Sequence, residues 1–107
     1  MNLPNVIAAF VKAQNTHDSS AHVACFSADA IVVDESKNHR GTNEIKVWIE
    51  ESNAKYQTVM EALDYSASAE MVVLSAKISG TFEGSPIVIN YHFGLVNNLI
   101  QSLKILS

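Results

Sequence analysis

The hydrophobic pattern of this chain changes character near Ala54, and that change limits the folds open to it. Before it, apart from one short β-branched run, apolar residues recur at helical spacing. After it, Tyr56–Ser68, Glu70–Phe82, Ile87–Val96 and Leu99–Leu106 read as four long strands rich in Val, Ile, Thr and Tyr. Their connectors are short. Ser68-Ala69 and Glu83-Gly84-Ser85-Pro86 carry turn residues, and Asn97-Asn98 reads as a two-residue hairpin because Asn tolerates the positive φ of a type I′ turn. Helices followed by an antiparallel meander predict an α+β domain, with the helices covering one face of a curved sheet. Such a sheet curls as it twists, and its concave mouth is a natural ligand site.

In the helical half, Leu3, Val6, Ile7, Phe10 and Val11 share a stripe that predicts a first helix running to about Thr16, with Pro4 in its opening turn. Asp18 is suited to N-cap a short second helix through about Phe26. Ala30-Ile31-Val32-Val33 is a β-branched run ending at Asp34, and the polar Glu35-Ser36-Lys37-Asn38 segment reads as a loop. Arg40-Gly41-Thr42 then opens a third helix, whose stripe of Ile45, Trp48, Ile49 and Ser52 should bury Trp48.

With 107 residues, 48% of them apolar, the chain can supply one continuous core, so residues 1–107 are expected to form a single domain. Net charge is −4 and the seven Lys and Arg stand singly, which leaves no basic stripe for a phosphate backbone and argues against nucleic acid as a partner. Cys25 is the lone cysteine, which suits a reducing compartment. The start has no basic n-region, and the apolar run Val6–Val11 is too short for a signal core or a membrane span. A cytoplasmic protein with no membrane partner is the expectation. His17, His22, His39 and His92 lack the spacing of a metal site, and no Gly-rich phosphate loop occurs, so neither a metal nor another cofactor is expected.

Four spaced segments carry a family resemblance: Asn15-Thr16-His17-Asp18, Cys25–Ala30 followed by Ile31–Asp34, Arg40–Ile45, and Ser79-Gly80-Thr81-Phe82. In their order the chain resembles the nuclear transport factor 2-like superfamily, in its SnoaL-like and ketosteroid isomerase-like branch. The resemblance spans nearly the whole chain. It implies a cone-shaped, cystatin-like fold with three N-terminal helices, a pocket between the first helix, the third helix and the concave sheet face, and often a homodimer formed through the sheet. It does not imply one reaction, since members include isomerases, cyclases, dehydratases, hydrolases and proteins without catalysis.

The resemblance places Asp34 where ketosteroid isomerases carry their general base, and apolar walls would raise its pKa toward that task. It also implies an oxyanion hole made by a tyrosine on the first helix and an acid on a strand. This chain departs from that at both positions, with Phe10 on the helix and Tyr91 on the strand. A phenol can still polarise a carbonyl. The plainer alternatives are a strand-end Asp34 that faces water, and a core Tyr91 alternating with Ile89, Phe93 and Leu95.

Gln14, one turn beyond Phe10, can hydrogen-bond a ligand or another buried group. Trp48, Tyr56, Leu74, Ile78 and Phe93 complete the candidate pocket wall, or equally an ordinary core. Two functions stay open. In one, a small apolar carbonyl compound enters the pocket, Asp34 moves a proton and Tyr91 steadies the charge. In the other, the same fold is a non-catalytic module that binds a hydrophobic ligand, or acts through the outer face of its sheet as a dimer.

Overall fold

The computed structural model describes residues 2–69 and 71–106. Helix α1 (Asn5–Thr16) starts after Pro4 and ends at His17, which turns the chain in the left-handed region at φ 53°. The short α2 (Ser19–Val23) is capped by Asp18, whose Oδ1 accepts from the Ala21 N–H at 3.0 Å. Strands β1 (Phe26–Asp34) and β2 (Lys37–Arg40) form a hairpin, followed by α3 (Gly41–Tyr56). Strands β3 (Val59–Ser68), β4 (Met71–Ser79), β5 (Ile87–Val96) and β6 (Leu99–Leu106) are the meander.

All six strands join one sheet in the order β2-β1-β6-β5-β4-β3. The pairings are antiparallel except that of β1 with β6, which is parallel. The three helices lie against this sheet, α3 on β1 and β2, α1 on β3, with α2 bridging them. Alternation on β4 fixes the two faces: Val72, Leu74, Ala76 and Ile78 are buried, while Val73, Ser75, Lys77 and Ser79 turn outward. The core between helices and sheet contains Ile7, Phe10, Val32, Ile45, Ile49, Leu74, Phe93, Ile100 and Leu103, all at most 2% exposed. Each of the larger side chains stabilises the fold by roughly 1.5–3 kcal/mol through burial.

The α+β architecture expected from the sequence is present, with four differences of detail. Phe26 opens β1 instead of closing α2: the Ile100 N–H bonds the Cys25 carbonyl at 2.9 Å and Phe26 pairs with Ile100, so sheet pairing overrides the helical spacing of Val23 and Phe26. The predicted Glu35–Asn38 loop is a tight hairpin, with Glu35 and Ser36 at φ 51° and 63° and Lys37 already paired with Asp34. Tyr56 ends α3 rather than starting a strand, because Gln57 adopts φ 45° and delays β3 to Val59. The fourth strand stops at Ser79, before a bend through Gly80–Phe82. Its predicted first residue, Glu70, lies outside the described residues.

Candidate functional site

Asp34 is the last residue of β1, and the positive-φ pair Glu35-Ser36 holds it at the sheet's end by turning the chain straight back into β2. From α3, the Trp48 indole N–H donates to Asp34 Oδ2 at 3.1 Å. The Trp48 ring in turn stacks on His39 of β2, centroids 5.6 Å apart and planes 30° from parallel. Trp48 is therefore half-buried, not sunk in the core as its helical stripe suggested: its polar edge is committed to Asp34.

One carboxylate oxygen of Asp34 is thus oriented by a neutral donor. Burial is the largest influence on this group and raises its pKa above the ordinary carboxylate range. The Trp48 hydrogen bond pulls it back, the Glu35 charge raises it further, and His39 and the Glu35 backbone lower it. The balance is a carboxyl harder to ionise than an ordinary aspartate.

Asp34 faces a cavity of about 330 Å³ between α1, α3 and the concave sheet face. Of the residues singled out from the sequence, Phe10, Gln14, Trp48, Tyr56, Ile78 and Tyr91 line it with Asp34. Leu74 and Phe93 do not. Both are fully buried in the packed core, on the same strand faces as the wall residues Ile78 and Tyr91. Gln14 Nε2 donates to Thr58 Oγ1 at 2.6 Å, so its amide is engaged across the cavity rim. Tyr56 is placed by the end of α3 and meets Phe82 edge-on at 6.0 Å.

Tyr91 is 6% exposed on the inner face of β5. Burial, and then the Asp34 charge, push its phenol well above the usual tyrosine range, and no hydrogen bond among the described residues offsets them. The phenol therefore stays protonated and can donate into the cavity. Phe10 sits 6.0 Å from Tyr91 and 5.1 Å from Phe93, both edge-on, and contributes no donor.

Two features escaped the sequence reading. Asn15 clamps α1 to β3, donating from Nδ2 to the Met60 carbonyl at 2.9 Å and accepting the Met60 N–H at 2.6 Å. His22, read only as an unsuitable metal ligand, is 2% exposed and lines the cavity. The signal was a lone imidazole within Ala21–Phe26, otherwise made of small and apolar residues. Among the described residues, no group of three or more His, Cys, Asp or Glu is placed to hold a metal. No helix among the described residues is long and apolar enough to cross a membrane.

The sequence matches no family model, and no curated sequence is significantly similar to it. Solved structures are similar. A candidate polyketide cyclase from Sinorhizobium meliloti is 30% identical, with a TM-score of 0.93 over 96% of this chain and 94% of that one. A protein of ketosteroid isomerase-like fold from Catenulispora acidiphila, solved with trimethylamine, is 18% identical, with a TM-score of 0.88 over 99% of this chain and 87% of that one. The epoxide hydrolase/cyclase-like enzyme SalBIII, of pyran ring formation in salinomycin, is 19% identical, with a TM-score of 0.83 over 94% and 86%.

Proposed function

The chain belongs to the nuclear transport factor 2-like superfamily, in its SnoaL-like and ketosteroid isomerase-like branch, and from that premise we propose a cofactor-independent isomerase, cyclase or lyase acting on a small apolar carbonyl compound. The observation that carries this reading is the oriented, half-buried Asp34 carboxyl on the wall of a cavity that also presents the buried Tyr91 phenol.

In the proposed chemistry the ionised Asp34 takes a proton from the carbon next to the substrate carbonyl. The C–H electron pair becomes the new C=C bond, and the carbonyl π pair moves onto oxygen. Tyr91 donates a hydrogen bond to that developing oxyanion, a contribution on the order of 3 kcal/mol in a water-poor site. Where the substrate has a β,γ double bond the product is a dienolate: Asp34 then returns its proton to the γ-carbon, the oxygen pair re-forms the carbonyl and the C=C bond moves to the α,β position, which completes an isomerisation. Alternatively the enolate carbon attacks a second carbonyl of the same molecule, and Asp34 protonates the new alkoxide, which closes a ring. The likeness to the Sinorhizobium protein, itself a candidate polyketide cyclase, supports ring closure as one of these outcomes.

Trp48 is the only tryptophan of the chain and it lines the cavity, so its fluorescence reports occupancy. Saturable quenching or shift of that emission on addition of α-tetralone, a small bicyclic ketone, is expected. An emission that α-tetralone and related cyclic ketones leave unmoved would remove the substrate-binding reading.

A second reading, a non-catalytic dimeric module, draws on the outer sheet face, where Val59, Met71, Val88 and Leu106 are 55%, 49%, 52% and 41% exposed. That face suits a second copy of the chain whether or not the cavity is catalytic. The free, buried Cys25 thiol fits a reducing compartment, and we place the protein in the cytoplasm on that ground.

A further inference from the structure

Among the polar side chains on the cavity wall that take no part in the chemistry above, His22 is buried and unpaired. It is 2% exposed, and neither Nδ1 nor Nε2 has a hydrogen-bond partner among the described residues. Its neighbours are aromatic: the Phe10 ring meets it edge-on at 4.6 Å and the Phe26 ring lies at 6.3 Å.

A buried polar group left unpaired costs on the order of 1–3 kcal/mol. Folded proteins pair the great majority of such groups, so an exception calls for a reason. Packing does not supply one here, because a leucine would fill a similar volume without the desolvation cost. Position does. His22 lines the same cavity as Asp34 and Tyr91, and Phe10 meets both the His22 and the Tyr91 ring edge-on. Burial holds the ring neutral, with its pKa lowered to about 4, so it carries one N–H donor and one bare acceptor nitrogen. A half-turn about the Cβ–Cγ bond exchanges ring nitrogens with carbons inside nearly the same outline. Either edge can therefore be polar without repacking Phe10.

We propose that His22 is a specificity-determining residue that hydrogen-bonds a hydroxyl or carbonyl oxygen at the buried end of the occupant, remote from the carbonyl addressed by Asp34 and Tyr91. The occupant is then bifunctional, with oxygen at both ends of an apolar body. This rests on the cavity reading given under Proposed function, and the test separates the two.

Trp48 fluorescence titrations compare α-tetralone with the tetralone that bears a phenolic hydroxyl para to its carbonyl, on the wild type and on His22→Leu. The wild type is expected to bind the hydroxylated ketone about tenfold more tightly. His22→Leu should bind the two equally. Nitrogen-15 NMR of the wild type adds a readout that needs no variant: a His22 ring nitrogen shifts with the hydroxylated ketone and not with α-tetralone. Equal binding by the wild type, a preference that survives His22→Leu, or ring signals that stay unmoved by the hydroxylated ketone overturns the assignment of His22 while leaving the cavity reading intact. Failure of both ketones to bind overturns the cavity reading and this inference with it.

Discussion

The Trp48 indole N–H reaches Asp34 Oδ2 at 3.1 Å, a bond between residues 14 positions apart that joins the third helix to the end of the first strand. It gives Asp34 one fixed oxygen. Trp48→Phe removes the donor but keeps the ring. The Asp34 pKa should rise further, because the lost bond favours the ionised form. Stability should fall by about 1 kcal/mol. Carbon-13 NMR titration of the Asp34 carboxyl, with urea unfolding alongside, checks both.

Asp34 also leaves a signature in stability. A carboxyl harder to ionise in the fold than in the unfolded chain favours the fold most while protonated. Its contribution is present at low pH and declines as pH rises through the folded-state pKa. Asp34→Asn, which keeps an acceptor for Trp48, should therefore stabilise the protein at neutral pH. The gain is held below about 1 kcal/mol because the half-buried group retains solvent. Urea unfolding at neutral and at acid pH should show that gain shrinking as the wild-type carboxyl protonates.

His22 acts in the opposite sense. Burial lowers its pKa from 6.5 to about 4, so the unfolded chain binds this proton more readily than the fold does. The neutral ring's contribution is complete above the unfolded value and is lost as pH falls from 6.5 toward 4. The loss is on the order of 3 kcal/mol, from roughly 1.4 kcal/mol per unit. His22→Leu should remove that part of the acid destabilisation. Wild-type and variant unfolding curves that run parallel across this interval would refute it.

The outer sheet face makes a separate prediction. Val88 and Leu106 stand exposed on it, on neighbouring strands β5 and β6, where Leu106 pairs with Asn90. A charge placed at Val88 would be buried without a partner in a dimer formed there. Analytical ultracentrifugation should find a dimer for the wild type at micromolar concentration and a monomer for Val88→Lys. A monomeric wild type contradicts the proposed association.

The legible and illegible parts of this chain differ for physical reasons. Asn97 and Asn98 have φ 52° and 62°, and the hairpin could be read because Asn accepts that region at low cost. Glu35 and Ser36 make a similar turn, but neither residue type advertises a positive φ, so the start of β2 reads as a loop in the sequence. The inward face of β5 followed from alternation alone, and with it the placement of Tyr91. Separating Leu74 and Phe93 from the cavity wall needs the depth of each side chain, which alternation does not encode. The Trp48–Asp34 bond depends on where α3 crosses β1, and no local pattern carries that relation.

In the proposed reaction Asp34 moves a proton on a carbon next to a carbonyl. The most direct measurement is deuterium incorporation at the α-carbon of α-tetralone in D2O, followed by proton NMR. The wild type should accelerate exchange over buffer, Tyr91→Phe should retain roughly a hundredth of that activity, and Asp34→Asn should fall to the buffer rate. Exchange by Asp34→Asn at the wild-type rate would show that Asp34 does not carry the proton.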